Sequence, residues 1–348
     1  MINFNDQNNI FVIAEAGSNW KCGDYHDDLN QAKNLIKVAA KSGANAVKFQ
    51  TYRPETTYVS NPGTSDYLSK IGTTENISNI FEKHSMPYEM IPELLKICKN
   101  ENILFMSTPF SLQDAKAIDE FVIVHKIASF EINHVRLLDF LAEKNKPIII
   151  STGASTYEEI DFCVERIKSH GNNKIILLQC TSKYPCPIES LNLSTIPEMK
   201  SRYNLPVGFS DHSTDPIIAP IMSLGLGATV IEKHFTLDRS LPGPDHSFAL
   251  IPSELESMIY SIRQTQSMFG TGIKEILDVE KELRSFATRS IQAINDISKG
   301  EVLREGVNFE TLRSGNCSRG EEPRLLEKIN GKISLKDIKK DQGINEYE

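Results

Sequence analysis

Eight times between residues 10 and 269, a short apolar run rich in β-branched residues is followed by a stretch with helical spacing of its apolar positions. The runs are Ile10–Gly17, Ala46–Tyr52, Ile103–Phe110, Phe121–Ala128, Pro147–Thr152, Lys174–Gln179, Pro206–Phe209 and Ala228–Lys233. Strands that alternate with helices pair in parallel. Runs with little polar alternation are buried on both faces. Eight such units in about 250 residues predict an α/β fold, a (β/α)8 TIM barrel. The rival, a doubly wound open sheet, opens with a glycine-rich phosphate turn. Ala16-Gly17-Ser18-Asn19 is not such a turn.

Helices are predicted over Leu29–Ser42, near Tyr88–Asn100, from Leu112, over Val135–Lys144, from Thr156, near Ser194–Tyr203 and over Pro252–Phe269. Ser111 with Asp114, and Thr156 with Glu159, have the spacing of helix N-caps. Pro216 suits the first turn of the helix after the seventh strand. A polar insertion containing Pro62-Gly63 follows the second strand.

The pattern changes near residue 275. We expect a barrel over 1–275, a linker over 276–284 and a small β-rich domain over 285–348, with short runs at Ser290–Ile294 and Val307–Leu312. Within it, Ala293-Ile-Asn-Asp-Ile-Ser-Lys-Gly-Glu301 is weakly echoed by Ser334-Leu-Lys-Asp-Ile-Lys-Lys-Asp-Gln342. So small a domain has a marginal core by itself.

A net charge of −8 without a basic block argues against nucleic acid as a partner. The six cysteines form no C-x-x-C pair and are read as reduced thiols of a cytoplasmic protein. The first residues do not resemble a signal peptide, and no apolar run approaches the ~18 residues of a membrane span.

In a (β/α)8 barrel, reactive residues gather at the C-terminal ends of the strands. Every strand here carries polar groups there. They are Glu15; Lys48 and Gln50; Thr108; Lys126, Ser129 and Glu131; Ser151; Ser182 and Tyr184; Ser210, Asp211 and His212; and Glu232, Lys233 and His234. Asp245 follows in a Pro/Gly loop. Charges within apolar runs are costly unless paired or used, which points to an enzyme. Lysines flanked by hydroxyls suit a phosphate-bearing anion. The carboxylates and Gln50 suit a polyol or proton transfer. His212 and His234, at successive strand ends, suit a divalent ion such as Mn²⁺, Zn²⁺, Fe²⁺ or Co²⁺. Structural roles compete with these: Glu15 with Lys48 and Lys126 with Glu131 are possible ion pairs, and Tyr184 is a possible packing residue. Cys180 and Cys186 are read as inert.

These motifs resemble the sialic acid (N-acetylneuraminate) synthase family. The resemblance rests on Ile13-Ala-Glu-Ala-Gly-Ser-Asn19, Ala46-Val-Lys-Phe-Gln-Thr51, Ser107-Thr-Pro-Phe110, Lys126-Ile-Ala-Ser129 with Glu131, Gly208-Phe-Ser-Asp-His212, Ile231-Glu-Lys-His-Phe-Thr236 and Pro242-Gly-Pro-Asp-His-Ser-Phe248. Arg289-Ser290 with Asp296–Glu301 is similar to that family's antifreeze-like (SAF, β-clip) domain. The resemblance implies a condensation of phosphoenolpyruvate with an N-acylated hexosamine-type aldehyde, giving a nonulosonic 2-keto acid and phosphate. It implies a divalent metal, chiefly Mn²⁺ with Mg²⁺ or Co²⁺ as substitutes, held by His212 and His234. Lys48, Thr108, Lys126, Ser129, Ser151, Ser182 and Ser210 would hold phosphoenolpyruvate. Gln50, Tyr184 and Asp245 would contact the sugar, with Glu15, Glu131 and Glu232 in catalytic roles. It further implies a homodimer with exchanged C-terminal domains, in which Arg313 reads the N-acyl group beside Phe286. The chain departs from the family pattern at Ser18-Asn-Trp-Lys-Cys-Gly23, Thr181-Ser182 and Arg313-Ser-Gly315, near the expected sugar site. Two other readings are a Schiff-base aldolase on Lys126 or Lys48 and a non-enzymatic carbohydrate-binding protein.

Overall fold

A computed structural model describes residues 2–64 and 75–348. The chain divides into two compact units, Met1–Gly270 and Thr271–Glu348. The first contains eight parallel strands: β1 Phe11–Gly17, β2 Ala46–Thr51, β3 Leu104–Pro109, β4 His125–Ile127, β5 Ile148–Ser151, β6 Ile175–Cys180, β7 Val207–Asp211 and β8 Val230–His234. Hydrogen-bonded ladders run in the order β3-β2-β1-β8-β7-β6-β5-β4. β3 and β4 lie in contact without a ladder among the described residues, so the sheet curls into a TIM-like near-barrel. Helices alternate with the strands, as the periodicity requires.

Strand residues alternate between two cores. Facing the helices are Val12, Ala14, Val47, Phe49, Phe105, Ile150, Leu177, Phe209 and Ile231, packed with Leu35, Leu94, Leu138, Ile167 and Ile259. Inside the barrel, Phe11, Ile13, Ala46, Met106, Val124, Ile149, Ile176, Leu178 and Val230 form a second apolar cluster. Gly208 completes this interior, because a Cβ there would lie 2.3 Å from the Val230 carbonyl and 2.6 Å from Leu178.

Local signals set most helix starts. Ser111 accepts from the Asp114 N–H, and Thr156 and Glu159 form a reciprocal capping box. Asp24 begins the first helix at Tyr25, four residues before the expected start. Pro216 does not open its helix. Asp215 accepts from the N–H groups of Ile217 and Ile218, and the helix runs Ile218–Gly225. The expected fourth strand, Phe121–Ala128, shrinks to His125–Ile127 behind a 3-10 turn at Asp119–Phe121. It has a ladder partner only in β5, so nothing holds its outer residues extended. The polar insertion contains helices Pro54–Thr57 and Ile77–His84, and residues 65–74 of it lie outside the described residues. No helix among the described residues is long and apolar enough to cross a membrane.

The second unit holds an antiparallel pair, β9 Arg289–Ala293 and β10 Phe309–Arg313, around a small core of Ile291, Ile297, Leu303, Phe309, Ile329, Ile338 and Ile344. The stretch expected as a linker is ordered into a 3-10 turn, Asp278–Glu280, and the start of a helix, Lys281–Ala287. The echoed segments pair with each other about a local two-fold. Ile297 and Ile338 exchange both backbone hydrogen bonds at 2.8 Å. The Lys299 N–H donates to Asp337 and the Lys340 N–H to Asp296, at 2.8 and 2.9 Å. The Gly300 N–H reaches the Ser334 carbonyl and the Asp341 N–H the Ala293 carbonyl, both at 2.8 Å. At equivalent positions Gly300 has φ +88° and Asp341 φ +69°. This left-handed region favours glycine. Asp341→Gly is therefore expected to stabilise this unit by about 0.5 kcal/mol, measured as greater hydrogen-exchange protection of residues 289–348 in the whole chain.

Candidate active site

Along each strand the inward series turns from apolar to polar towards the C-terminal end. On β1, Ile13 is followed by Glu15; on β2, Ala46 by Lys48 and Gln50; on β3, Met106 by Thr108; on β5, Ile149 by Ser151; on β8, Val230 by Glu232 and His234. These groups line a cavity of about 730 Å³. It also takes in Lys126, Ser129, Glu131, Ser182, Tyr184, Ser210, His212 and Asp245. The barrel thus gathers all of the predicted site residues except Phe286 and Arg313. Those two are exposed residues of the second unit, where the Phe286 carbonyl accepts from the Gly315 N–H.

Four buried charges form the floor. Lys48 Nζ lies 2.6 Å from Glu15 Oε2 and 3.7 Å from Glu232 Oε1, and donates to Thr108 Oγ1 at 2.9 Å. Lys126 Nζ donates to Ser151 Oγ at 2.6 Å and to the Ile127 carbonyl at 3.1 Å, and lies 3.9 Å from Glu232. Glu15 therefore pairs with Lys48, whereas Lys126 turns to Ser151 and Glu232 rather than to Glu131. Burial acts against every one of these charges. It pushes Glu15 up to about 7, Lys48 opposing and Glu232 assisting. Burial would likewise raise Glu232, but Lys126, Lys48 and His212 outweigh it and hold the group low and ionised. Lys126 is lowered by burial against the pull of Glu232. Burial would lower Lys48 too, but Glu15 and Glu232 raise it overall.

Hydroxyls surround the lysines. The Gly153 N–H donates to Ser129 Oγ at 2.9 Å, and Ser210 donates to Glu232 at 3.2 Å. Ser182 Oγ is buried without a hydrogen-bond partner. A Cβ on Gly153 would lie 2.3 Å from Ser182 Oγ and 3.0 Å from Ser129 Oγ, so this position admits only glycine without a shift. Gly17, at φ +53°, plays the same part above Glu15: a Cβ there would meet Asp245 at 2.9 Å and Gln50 at 3.3 Å. Gln50 donates to Glu15 at 2.9 Å and Ser18 to Asp245 at 3.2 Å.

The His212 and His234 ring centroids lie 5.6 Å apart, with the Tyr184 ring tilted against His212 at 4.1 Å. His212 Nδ1 donates to the Thr181 carbonyl at 2.9 Å, which directs its other nitrogen elsewhere. Burial would lower His212, but Cys180, with Sγ 3.8 Å away, and the Thr181 carbonyl raise it overall. His234 Nδ1 is buried without a hydrogen-bond partner, 3.9 Å from Asp245. Burial, with His212 and Lys48, pushes His234 down to about 3 against Asp245, so its ring is neutral. A neutral, unpartnered imidazole beside a second one fits a divalent cation. Among the described residues no three His, Cys, Asp or Glu side chains converge to hold a metal by themselves. The remaining ligands would have to be water or substrate oxygen.

One correction follows from the two-residue alternation. Asp211 and Lys233 do not face the cavity. They pair at 2.6 Å behind it, and Lys233 also donates to the Ser213 and Asp215 carbonyls at 2.6 and 3.0 Å. Cys180 lines the cavity, a position that by itself gives it no chemical role. The insertion, read as polar, contributes Tyr58, Ile77, Ile80 and Phe81 to an apolar wall with Tyr52 and Phe110. The two-residue alternation beyond Gln50 and Thr108 was the available signal for Tyr52 and Phe110.

The fold and this pocket together define a (β/α)8-barrel protein with a lysine-, carboxylate- and histidine-bearing site at the strand ends. Residues 35–274 match the NeuB family model. The spore coat polysaccharide biosynthesis protein SpsE of Bacillus subtilis is 38% identical, the match covering 96% of this chain and 92% of that protein. Pseudaminic acid synthase of Campylobacter jejuni is 37% identical over 97% and 96% of the two chains. The crystal structure of N-acetylneuraminic acid synthetase from Leptospira borgpetersenii, in complex with citrate, matches with a TM-score of 0.69 at 33% identity, covering 80% of this chain and 90% of that one. The chain belongs to the NeuB family.

Glu131 offers a test of the site's electrostatics. Its Oε2 is buried without a hydrogen-bond partner, and burial raises the carboxyl from 4.5 to about 7 against the pull of Lys126. A carboxyl raised on folding binds more protons when folded, so its contribution to stability is full below 4.5 and is lost as pH rises through 7. Glu131→Gln removes that slope. The variant should gain on the order of 2 kcal/mol relative to the parent between pH 5 and pH 8, followed by denaturant unfolding at both pH values.

Proposed function

We propose that this chain, working in the cytoplasm, condenses phosphoenolpyruvate with an N-acylated hexosamine-type aldehyde and water, giving a nonulosonic 2-keto acid and phosphate. The observation that carries the reading is the joining, in one cavity, of two buried lysines ringed by hydroxyls with two adjacent imidazoles. The named synthases among its relatives support it. In this reading C3 of phosphoenolpyruvate attacks the aldehyde carbon, water adds at C2, and phosphate leaves with C–O cleavage.

Lys48 and Lys126 carry the positive charge that meets phosphate and carboxylate, with Thr108, Ser129, Ser151, Ser182 and Ser210 donating around it. Glu15, raised to about 7, is suited to exchange a proton near neutral pH. Glu232 stays ionised and keeps both lysines charged and aimed. Glu131 is a second proton carrier of similar strength. Gln50, Tyr184 and Asp245 orient sugar hydroxyls. His212 and His234 would hold a divalent metal, chiefly Mn²⁺ with Mg²⁺ or Co²⁺ as substitutes, which when bound supplies Lewis acidity.

Purified protein with Mn²⁺, phosphoenolpyruvate and a panel of N-acyl hexosamines is expected to release phosphate. EDTA should abolish the release, Mn²⁺ should restore it, and His234→Ala should lower it at least about 100-fold. Release unaffected by EDTA would sink the metal assignment. The lowered amine of Lys126 favours a second reading, a Schiff-base aldolase; borohydride trapping of a pyruvate adduct would establish it instead.

The second unit is proposed to be an antifreeze-like SAF domain exchanged within a homodimer, closing the partner's pocket, with Arg313 and Phe286 of one subunit meeting the sugar in the other. Light scattering should give a dimer. Arg313→Ala should raise KM for the sugar about 10-fold or more while KM for phosphoenolpyruvate stays within about 2-fold; an equal loss for both substrates would reject the assignment.

A further inference from the structure

Two histidines that the proposed reaction does not use border one small space. His84 ends the helix Ile77–His84 of the insertion, and His246 lies in the loop after β8. His246 is buried and His84 half-buried. A Cβ built on Gly243 would lie 3.3 Å from His246 Nε2 and 3.9 Å from His84 Nε2. The two Nε2 atoms therefore flank the same point, beside a residue that has no side chain to fill it.

Hydrogen bonds at the other ends of the rings fix what these atoms present. His84 Nδ1 lies 2.8 Å from the Ile80 carbonyl. A carbonyl only accepts, so Nδ1 carries the ring's proton. His246 Nδ1 lies 2.6 Å from Thr236 Oγ1. That hydroxyl gives its own proton to the Asp238 carbonyl at 3.1 Å and accepts from the Asp238 N–H at 3.2 Å. Its remaining lone pair accepts from His246 Nδ1–H. Each neutral ring thus turns a bare Nε2 lone pair towards the space beside Gly243. Burial, with His84, pushes His246 down to about 4 against Asp238, so its ring is neutral at pH 7. Pro242 and Pro244 flank Gly243 and have no N–H to offer in return.

Two lone pairs directed at one space require a cation or a donor between them. An imidazole whose Nδ1–H is held by a protein acceptor has the usual form of a metal ligand. We infer that His84 and His246 form a second divalent-cation site, separate from His212 and His234, which takes a metal of the Zn²⁺ class. Imidazole suits Zn²⁺, Cu²⁺ and Ni²⁺, whereas Mg²⁺ and Mn²⁺ suit oxygen donors. Among the described residues no third His, Cys, Asp or Glu side chain converges there. Water fills the other positions, and the cation is exchangeable. When loaded, the site clamps two walls of the cavity. The helix of His84 carries Ile77, Ile80 and Phe81, and the loop of His246 carries Pro244 and Asp245.

Equilibrium dialysis of the full chain against Zn²⁺ tests this without reference to activity. His84→Ala should bind one equivalent fewer than the parent. The same loss should appear when His84→Ala is added to His212→Ala/His234→Ala, which shows that the two sites are separate. His84→Cys should keep the equivalent, and on loading with Co²⁺ it should add a sulfur-to-cobalt charge-transfer band to the parent's spectrum. Mn²⁺ at the same concentration should leave that Zn²⁺ in place. The rival is water alone between the rings. Equal Zn²⁺ content in the parent and His84→Ala establishes the rival and overturns the inference. A Co²⁺ spectrum of His84→Cys that matches the parent's overturns it too. Displacement of the Zn²⁺ by equal Mn²⁺ overturns the metal class.

Discussion

The structure depends on four charges that a closed barrel cannot leave unbalanced. Glu15, Lys48, Lys126 and Glu232 are each nearly excluded from solvent, and an isolated buried charge is far more costly than a paired one. Lys48 bridges Glu15 and Glu232, and Glu232 stands between both lysines. Two acids and two bases cancel, so the floor is near neutral before anything binds. Each lysine nevertheless keeps donor capacity towards the cavity. On the proposed reading, an arriving anion finds cations already oriented, the electrostatic preorganisation that catalysis requires.

The same alternation that aims these groups inward sends their sequence neighbours outward. Asp211 and Lys233 join β7 to β8 behind the cavity, and Lys233 gathers the carbonyls of the following loop. His212 and His234 are the residues next to this pair. Their 5.6 Å separation is thus backed by a buried ion pair outside the pocket; His234 ends β8 and His212 directly follows β7. Glycines serve the site by what they lack: Gly17 and Gly153 leave space that the side chains of Asp245, Ser182 and Ser129 occupy.

Polar and apolar halves divide the work of the cavity. The lysines, hydroxyls and acids gather at the strand ends, while the insertion after β2 supplies rings and aliphatic groups at the mouth. The second unit is built by a different economy of means. Two copies of one short pattern satisfy each other's backbone through reciprocal hydrogen bonds, which lets a small core of isoleucines hold together.

The eight strands, their order along the chain and most helix limits were legible because they follow from local periodicity and capping, which neighbouring residues specify. The residues at the strand ends were legible for the same reason, once a barrel was assumed. Ladder pairing decided the rest. It shortened β4, which has one partner strand, and it set the pleat that turned Asp211 and Lys233 away while keeping His212 and His234 inward. Choice of partner among buried charges also waited on three dimensions: Lys126 takes Ser151 and Glu232, residues 25 and 106 positions away, where sequence proximity had suggested Glu131. The aromatic wall and the two-fold pairing of residues 293–301 with 334–342 likewise join segments that are distant along the chain. Sequence by itself determined which faces are apolar and where polar groups emerge. Tertiary structure decided which of those groups meet, because contact between remote segments depends on register and closure, and no local pattern encodes either.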